Sequence, residues 1–88
     1  MFYNLKNITN IDFSNLDTSL VTNMGGMFLF CSSLIALDLS NFNTSLVTDM
    51  FAMFYDCSSL ISLNINNFDT LLVTNMAEMF RGCKSRYL

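Results

Sequence analysis

Cys31, Cys57 and Cys83 stand 26 residues apart, and their thiols are the first candidates for chemistry in this chain. A zinc site takes four ligands, usually in close pairs such as C-x-x-C. These cysteines are single and the chain has no histidine, so the spacing argues against a metal centre. A disulfide needs Cα atoms roughly 4.4–6.8 Å apart. Stacked neighbours would lie between the strand spacing of ~4.8 Å and the helix spacing of ~8–10 Å, which leaves a bridge geometrically open. Three cysteines cannot all pair, however, and Leu5 fills the same slot one step earlier. Free thiols packed as small hydrophobes fit this pattern best. Catalysis would further need a nucleophile beside a base, or a paired acid and base. The acids recur singly at surface positions, so the sequence offers no catalytic, metal or cofactor residue and reads as non-enzymatic.

What must position the cysteines is a repeat. The tetrapeptides Val21–Met24, Val47–Met50 and Val73–Met76 keep the 26-residue step, as do Met27, Met53 and Met79. Residues 27–52 and 53–78 are identical at 15 of 26 positions, enough to define units 1–26, 27–52 and 53–78, with a partial fourth at 79–88. Fixed apolar positions at such a period mark a stacked array in which no unit buries its core face alone. In the first half of each unit, the alternation through Leu37-Asp38-Leu39 predicts a short strand. Stacking these predicts a parallel sheet whose outer face carries Asn10, Asp12 and Ser14, then Ala36, Asp38 and Ser40, then Ser62, Asn64 and Asn66. Ser40–Thr44 reads as a turn. In the second half, Val47, Met50, Met53, Phe54 and Cys57 occupy one arc about 120° wide at about 100° per residue, the stripe of a short helix on a core. Thr48, like Thr22 and Thr74, is placed to cap its first turn. Gly25-Gly26 would loosen the first such helix into a turn. The expected fold is α/β: a leucine-rich-repeat solenoid with one short parallel strand and one short helix or helical turn per unit.

Hydrophobic residues make up 52% of the chain and charged residues 12%, a balance that points to surfaces meeting neighbours. Residues 1–80 carry one lysine against seven acids, the opposite of a nucleic-acid-binding surface. The longest apolar run, Met50–Tyr55, is far below the ~18 residues of a membrane span. The recurring threonines Thr18, Thr44 and Thr70 fit turns, and they lack the alternate strand positions an ice-binding ladder needs. Phe30 departs from the apolar stripe where later units carry Asp56 and Gly82; with Tyr55 it forms a candidate exposed apolar patch.

These residues resemble the BspA-like leucine-rich-repeat proteins, in the branch of mycoplasma lipoprotein-associated repeats. The pattern MFxxCSSLxxLDLSNFDTSxVTNM is matched by Met27-Phe28-x-x-Cys31-Ser32-Ser33-Leu34, by Leu37–Phe42 and by Val47-Thr48-Asp49-Met50. The resemblance covers residues 1–83, with Leu5 in place of the first cysteine. It implies a surface-exposed array that adheres to protein or glycan partners on a host or another cell, carried on the cell surface or secreted as part of a longer parent. The chain itself shows no signal segment or anchor. Met1-Phe2 aligns with Met27-Phe28, in the middle of the expected helix stripe, and Arg86 stands where the register calls for Leu. The expectation is therefore a fragment of a longer array that self-associates through uncapped ends exposing Met1, Phe2, Met79 and Phe80. The alternative expectation is a structural spacer, or a non-secreted truncated fragment without a ligand of its own.

Overall fold

The computed structural model describes residues 2–84; Met1 and the tail that includes Arg86 lie outside the described residues. Two three-residue strands are formed, β1 (Ala36–Asp38) and β2 (Ser62–Asn64), paired in parallel with Ala36 opposite Ser62, Leu37 opposite Leu63 and Asp38 opposite Asn64. Both lie where the alternation around Leu37 and Leu63 places them, and the register is the repeat step. Isolated parallel bridges at Asn23–Asp49 and Asp49–Asn75 join the units at a second corner.

The residues with helical spacing form no helix; among the described residues there is none. Val47, Met50, Met53, Phe54 and Cys57 are all buried, but they are carried on a chain of turns. Alternate N–H groups close these turns within the unit: Met27 N to Met24 O (3.2 Å), Leu29 N to Gly26 O (3.1 Å) and Cys31 N to Phe28 O (3.1 Å). The intervening groups donate to the next unit: Gly26 N to Phe51 O (2.8 Å), Phe28 N to Met53 O (2.9 Å) and Phe30 N to Tyr55 O (2.8 Å). Residues 50–57 repeat the scheme toward 75–81. A helix would spend all these donors on itself; here half of them tie one unit to the next. The alternation requires left-handed residues twice per unit, at Gly26, Ala52 and Glu78 and at Asn4, Phe30, Asp56 and Gly82. At Gly82 no other residue fits as built, because a Cβ there would collide with the Asp56 carboxylate.

The threonines bond across units rather than capping a helix. Thr48 donates both its N–H (2.8 Å) and its hydroxyl (3.2 Å) to Thr22 O, and Thr74 does the same to Thr48 O. Thr44, 1% exposed, accepts from Asp69 N (2.8 Å) and donates to Asp69 O (3.0 Å), and Thr18 binds Asn43 in the same way. In an apolar interior these hydroxyls satisfy backbone groups that would otherwise be orphaned.

Between the two corners runs a column of aromatic rings. Phe2, Phe28, Phe54 and Phe80 stack nearly parallel, with centroids 5.8, 5.5 and 5.5 Å apart, and Phe13 meets Phe28 and Phe42 edge-on. Beside it the Cys31, Cys57 and Cys83 thiols donate to Phe2, Phe28 and Phe54 carbonyls at 2.8, 3.1 and 3.0 Å. Among the residues expected to lie exposed at the ends, Met79 is buried and Phe2 half-buried, while Phe80 is exposed.

Candidate functional site

The outward residues of the strand corner are mostly free to solvent. Asn10, Asp12, Ser14, Asp38, Ser40, Ser62 and Asn66 are exposed, whereas Ala36 and Asn64 are half-buried. Asp12, Ser14, Asp38, Ser40 and Asn41 gather around a shallow hollow of about 200 Å³, so the first two units bring their expected face residues together.

The acids of this face have a local task. Asp12 Oδ1 accepts from Ser14 N (2.9 Å), Asp38 Oδ1 from Ser40 N (3.0 Å) and Asn64 Oδ1 from Asn66 N (3.2 Å). The same two-residue turn recurs at Asp17, Asn43 and Asp69, and again at Asn23, Asp49 and Asn75. Every column mixes Asp with Asn, because the turn requires a side-chain oxygen three bonds beyond Cα and no charge. Where the acceptor is ionised, the bond favours that form. The Ser14 backbone N–H holds Asp12 below the ordinary carboxylate value, the Ser19 N–H does so for Asp17, and the Ser40 hydroxyl and N–H do so for Asp38.

The cysteine column is held toward the protonated thiol. All three are free thiols; burial pushes Cys31 and Cys83 up, and burial with the neighbouring Cys83 and Cys31 thiols pushes Cys57 up to about 12. A thiol held protonated is neither a nucleophile nor a metal ligand. Among the described residues no group of His, Cys, Asp or Glu is arranged to hold a metal, and no helix is long and apolar enough to cross a membrane.

Phe30 and Tyr55 meet edge-to-face, with centroids 5.6 Å apart and planes at 83°; the two residues of the expected exposed patch are in contact, but Tyr55 is half-buried because the Phe30 ring lies against it. Phe30 remains 43% exposed and is held at a φ of 60°. That left-handed conformation costs a residue other than glycine about 1–2 kcal/mol. Asn4 and Asp56, its counterparts, are residue types that tolerate the conformation, and Gly82 adopts it freely. Beside the pair lies an apolar hollow of about 420 Å³ with Gly25 and Gly26 at one end and Leu29, Phe51 and Ala52 around it. On the other side of Phe30 a polar hollow of about 400 Å³ is lined by Asn4, Lys6, Ser32, Asp56, Ser58 and Lys84. The sequence marks Gly25 only as a helix breaker and Lys6 only in the charge balance, not as residues of a site. The signal that finds them is the break in the repeat: position 25 is Phe or Ala in the next two units, and positions 6 and 84 are Ser in the two units between.

Residues 1–86 match the family described as Mycoplasma protein of unknown function, DUF285. The chain belongs to that family. The match runs through units 1–26, 27–52 and 53–78 and into the partial fourth. No curated protein and no solved structure matches the chain.

Proposed function

We propose that this DUF285 chain is a non-enzymatic interaction module: a stretch of a BspA-like leucine-rich-repeat solenoid of adhesin type, displayed at the cell surface or secreted within a longer parent. Its partner is a protein or glycan on a host or another cell. The observation that carries the reading is the regular outward presentation of small polar side chains on a backbone whose N–H groups link unit to unit at a constant step. Bonds between units hold such a surface in place, so a ligand meeting it loses little free energy to ordering the protein. Self-association belongs to the same proposal, supported by the exposed ring of Phe80 at the end of the aromatic column.

A second reading has its own observation. The Asp and Asn side chains at positions 12, 38 and 64 are engaged in closing turns, as a spacer without a ligand would require of them. The two readings separate on positions that are exposed and whose side chains close nothing. In a bead-adhesion assay on host cells, S62R and N66R should abolish attachment of the full chain if the strand corner is the contact face, with circular dichroism unchanged. Attachment equal to the unsubstituted chain would favour the spacer. Light scattering across a dilution series tests the self-association, which predicts a mass that falls on dilution.

A further inference from the structure

We infer that the paired hollows on either side of Phe30 form a docking site for a partner polypeptide segment in which a bulky apolar side chain is followed by acidic residues. The site lies among the turns rather than on the strand corner, so it stands or falls independently of the face proposed above.

The case starts from the places where the repeat is broken. Position 25 is close-fitting, since an added Cβ would lie 3.1 Å from Asn23 Oδ1 and 3.4 Å from the Phe51 carbonyl, yet Phe51 and Ala77 occupy the same turn with the same bond to the Asn or Asp two residues before. Unlike Gly26 and Gly82, glycine at 25 is not called for by a left-handed φ; it leaves open the space that an aromatic ring fills one unit later. Phe30 departs in the opposite sense, placing a large ring in a left-handed, solvent-exposed position where its counterparts are Asn, Asp and Gly. Contact with Tyr55 covers one side of the Phe30 ring and leaves it 43% exposed. Strain and exposure at one residue beside a cleared hollow are the marks of a contact surface.

The walls define the occupant. Leu29, Phe30, Phe51, Ala52 and Tyr55 present no charge, so this half takes an apolar side chain. Across Phe30, Lys6, Ser32, Ser58 and Lys84 are successive rungs of one column, a run of about 14 Å at strand spacing. That length fits about four extended residues. Two lysines and one acid, Asp56, line it, giving a local excess of one positive charge on an otherwise acidic chain. An acidic segment leading away from the apolar anchor is the charge-complementary partner.

The test uses the full, isotope-labelled chain and three probes, the acetylated and amidated peptides GFEEG, GFKKG and GAEEG. GFEEG should shift the amide resonances of Gly25, Gly26 and Phe30 saturably, and the other two should bind at least tenfold more weakly. G25F, which restores the ring present at position 51, should abolish the shifts, and K6E, on an exposed side chain, should weaken binding at least tenfold. F30N should abolish binding while raising the melting temperature, a combination that mere loss of structure cannot produce. No saturable shift with GFEEG, equal binding of GFKKG, or undiminished binding by folded G25F and K6E would each overturn the proposal. S62R should bind GFEEG like the unsubstituted chain, so failure of the strand-corner face and failure of this site are read separately.

Discussion

Residues 27–60 and residues 62–76 are built from the same pattern, yet they differ sharply in burial. Leu37, Leu39, Phe42, Val47 and Met50 are all buried, with Met50 0% exposed. Their counterparts Leu63, Ile65, Phe68 and Val73 are half-buried, and Met76 is 49% exposed. Sequence does not separate these sets; neighbours do. The first set has a unit on either side, whereas the second is covered on one side among the described residues. Core burial here is a property of the stack, as expected when nearest-neighbour interfaces carry the stability.

The widest gap should appear in the leucines of the paired strands. Leu37→Ala should cost about 2–5 kcal/mol, as for a full-size side chain lost from a closed core, and Leu63→Ala about half as much because water already reaches it. Urea titrations of the two variants measure this, and equal losses would break the comparison. Leu37→Asp should leave no folded chain, since it buries an unpaired charge; Leu63→Asp should retain partial structure by circular dichroism.

The buried threonines sharpen the contrast. Thr44→Val removes the acceptor of Asp69 N and should cost about 1–3 kcal/mol. Thr70 is its exposed counterpart, and Thr70→Val should change stability by less than about 0.5 kcal/mol. Melting temperatures at one protein concentration suffice to compare them.

A smaller effect is expected from pH. Asp12, Asp17 and Asp38 have folded values below the ordinary 3.8, so the unfolded chain binds protons first on acidification. The stability they add is complete above the ordinary value and is lost as pH falls through their lower folded values. The triple D12N/D17N/D38N variant keeps the acceptor oxygens and should flatten the melting profile below about pH 4. A profile as steep as before would place the acid sensitivity elsewhere.

The least effect on stability, and the cleanest test of position, comes from alkylation. Half-buried Cys83 should react with iodoacetamide before Cys31 and Cys57, both 0% exposed. Cys57 should be slowest, with its thiol pushed up to about 12. Peptide mapping after timed quenching gives the order, and an early-labelled Cys57 would mean that the stack opens at its centre.

Much of this was legible in the residues. The period, the buried set from Met27 to Leu60, the strands around Leu37 and Leu63, the free thiols and the outward Asp and Asn positions follow from spacing and residue type. The contact between Phe30 and Tyr55 was not: the two are 25 residues apart, and only the offset between successive turns brings their rings together. Nor was the convergence of Lys6 and Lys84, which depends on four units presenting one column to the same hollow.

What the sequence determined by itself is which side chains leave water, because hydrophobic spacing records direction toward or away from a core. What only the tertiary structure decided is the path of the backbone that carries them. Val47, Met50, Met53, Phe54 and Cys57 satisfy a helical stripe and an alternating chain of turns equally well. The choice rests on where each N–H finds its carbonyl, and half of those carbonyls belong to the next unit. A partner supplied from 25 residues away leaves no local mark in the spacing, so the spacing alone does not tell the turns from a helix.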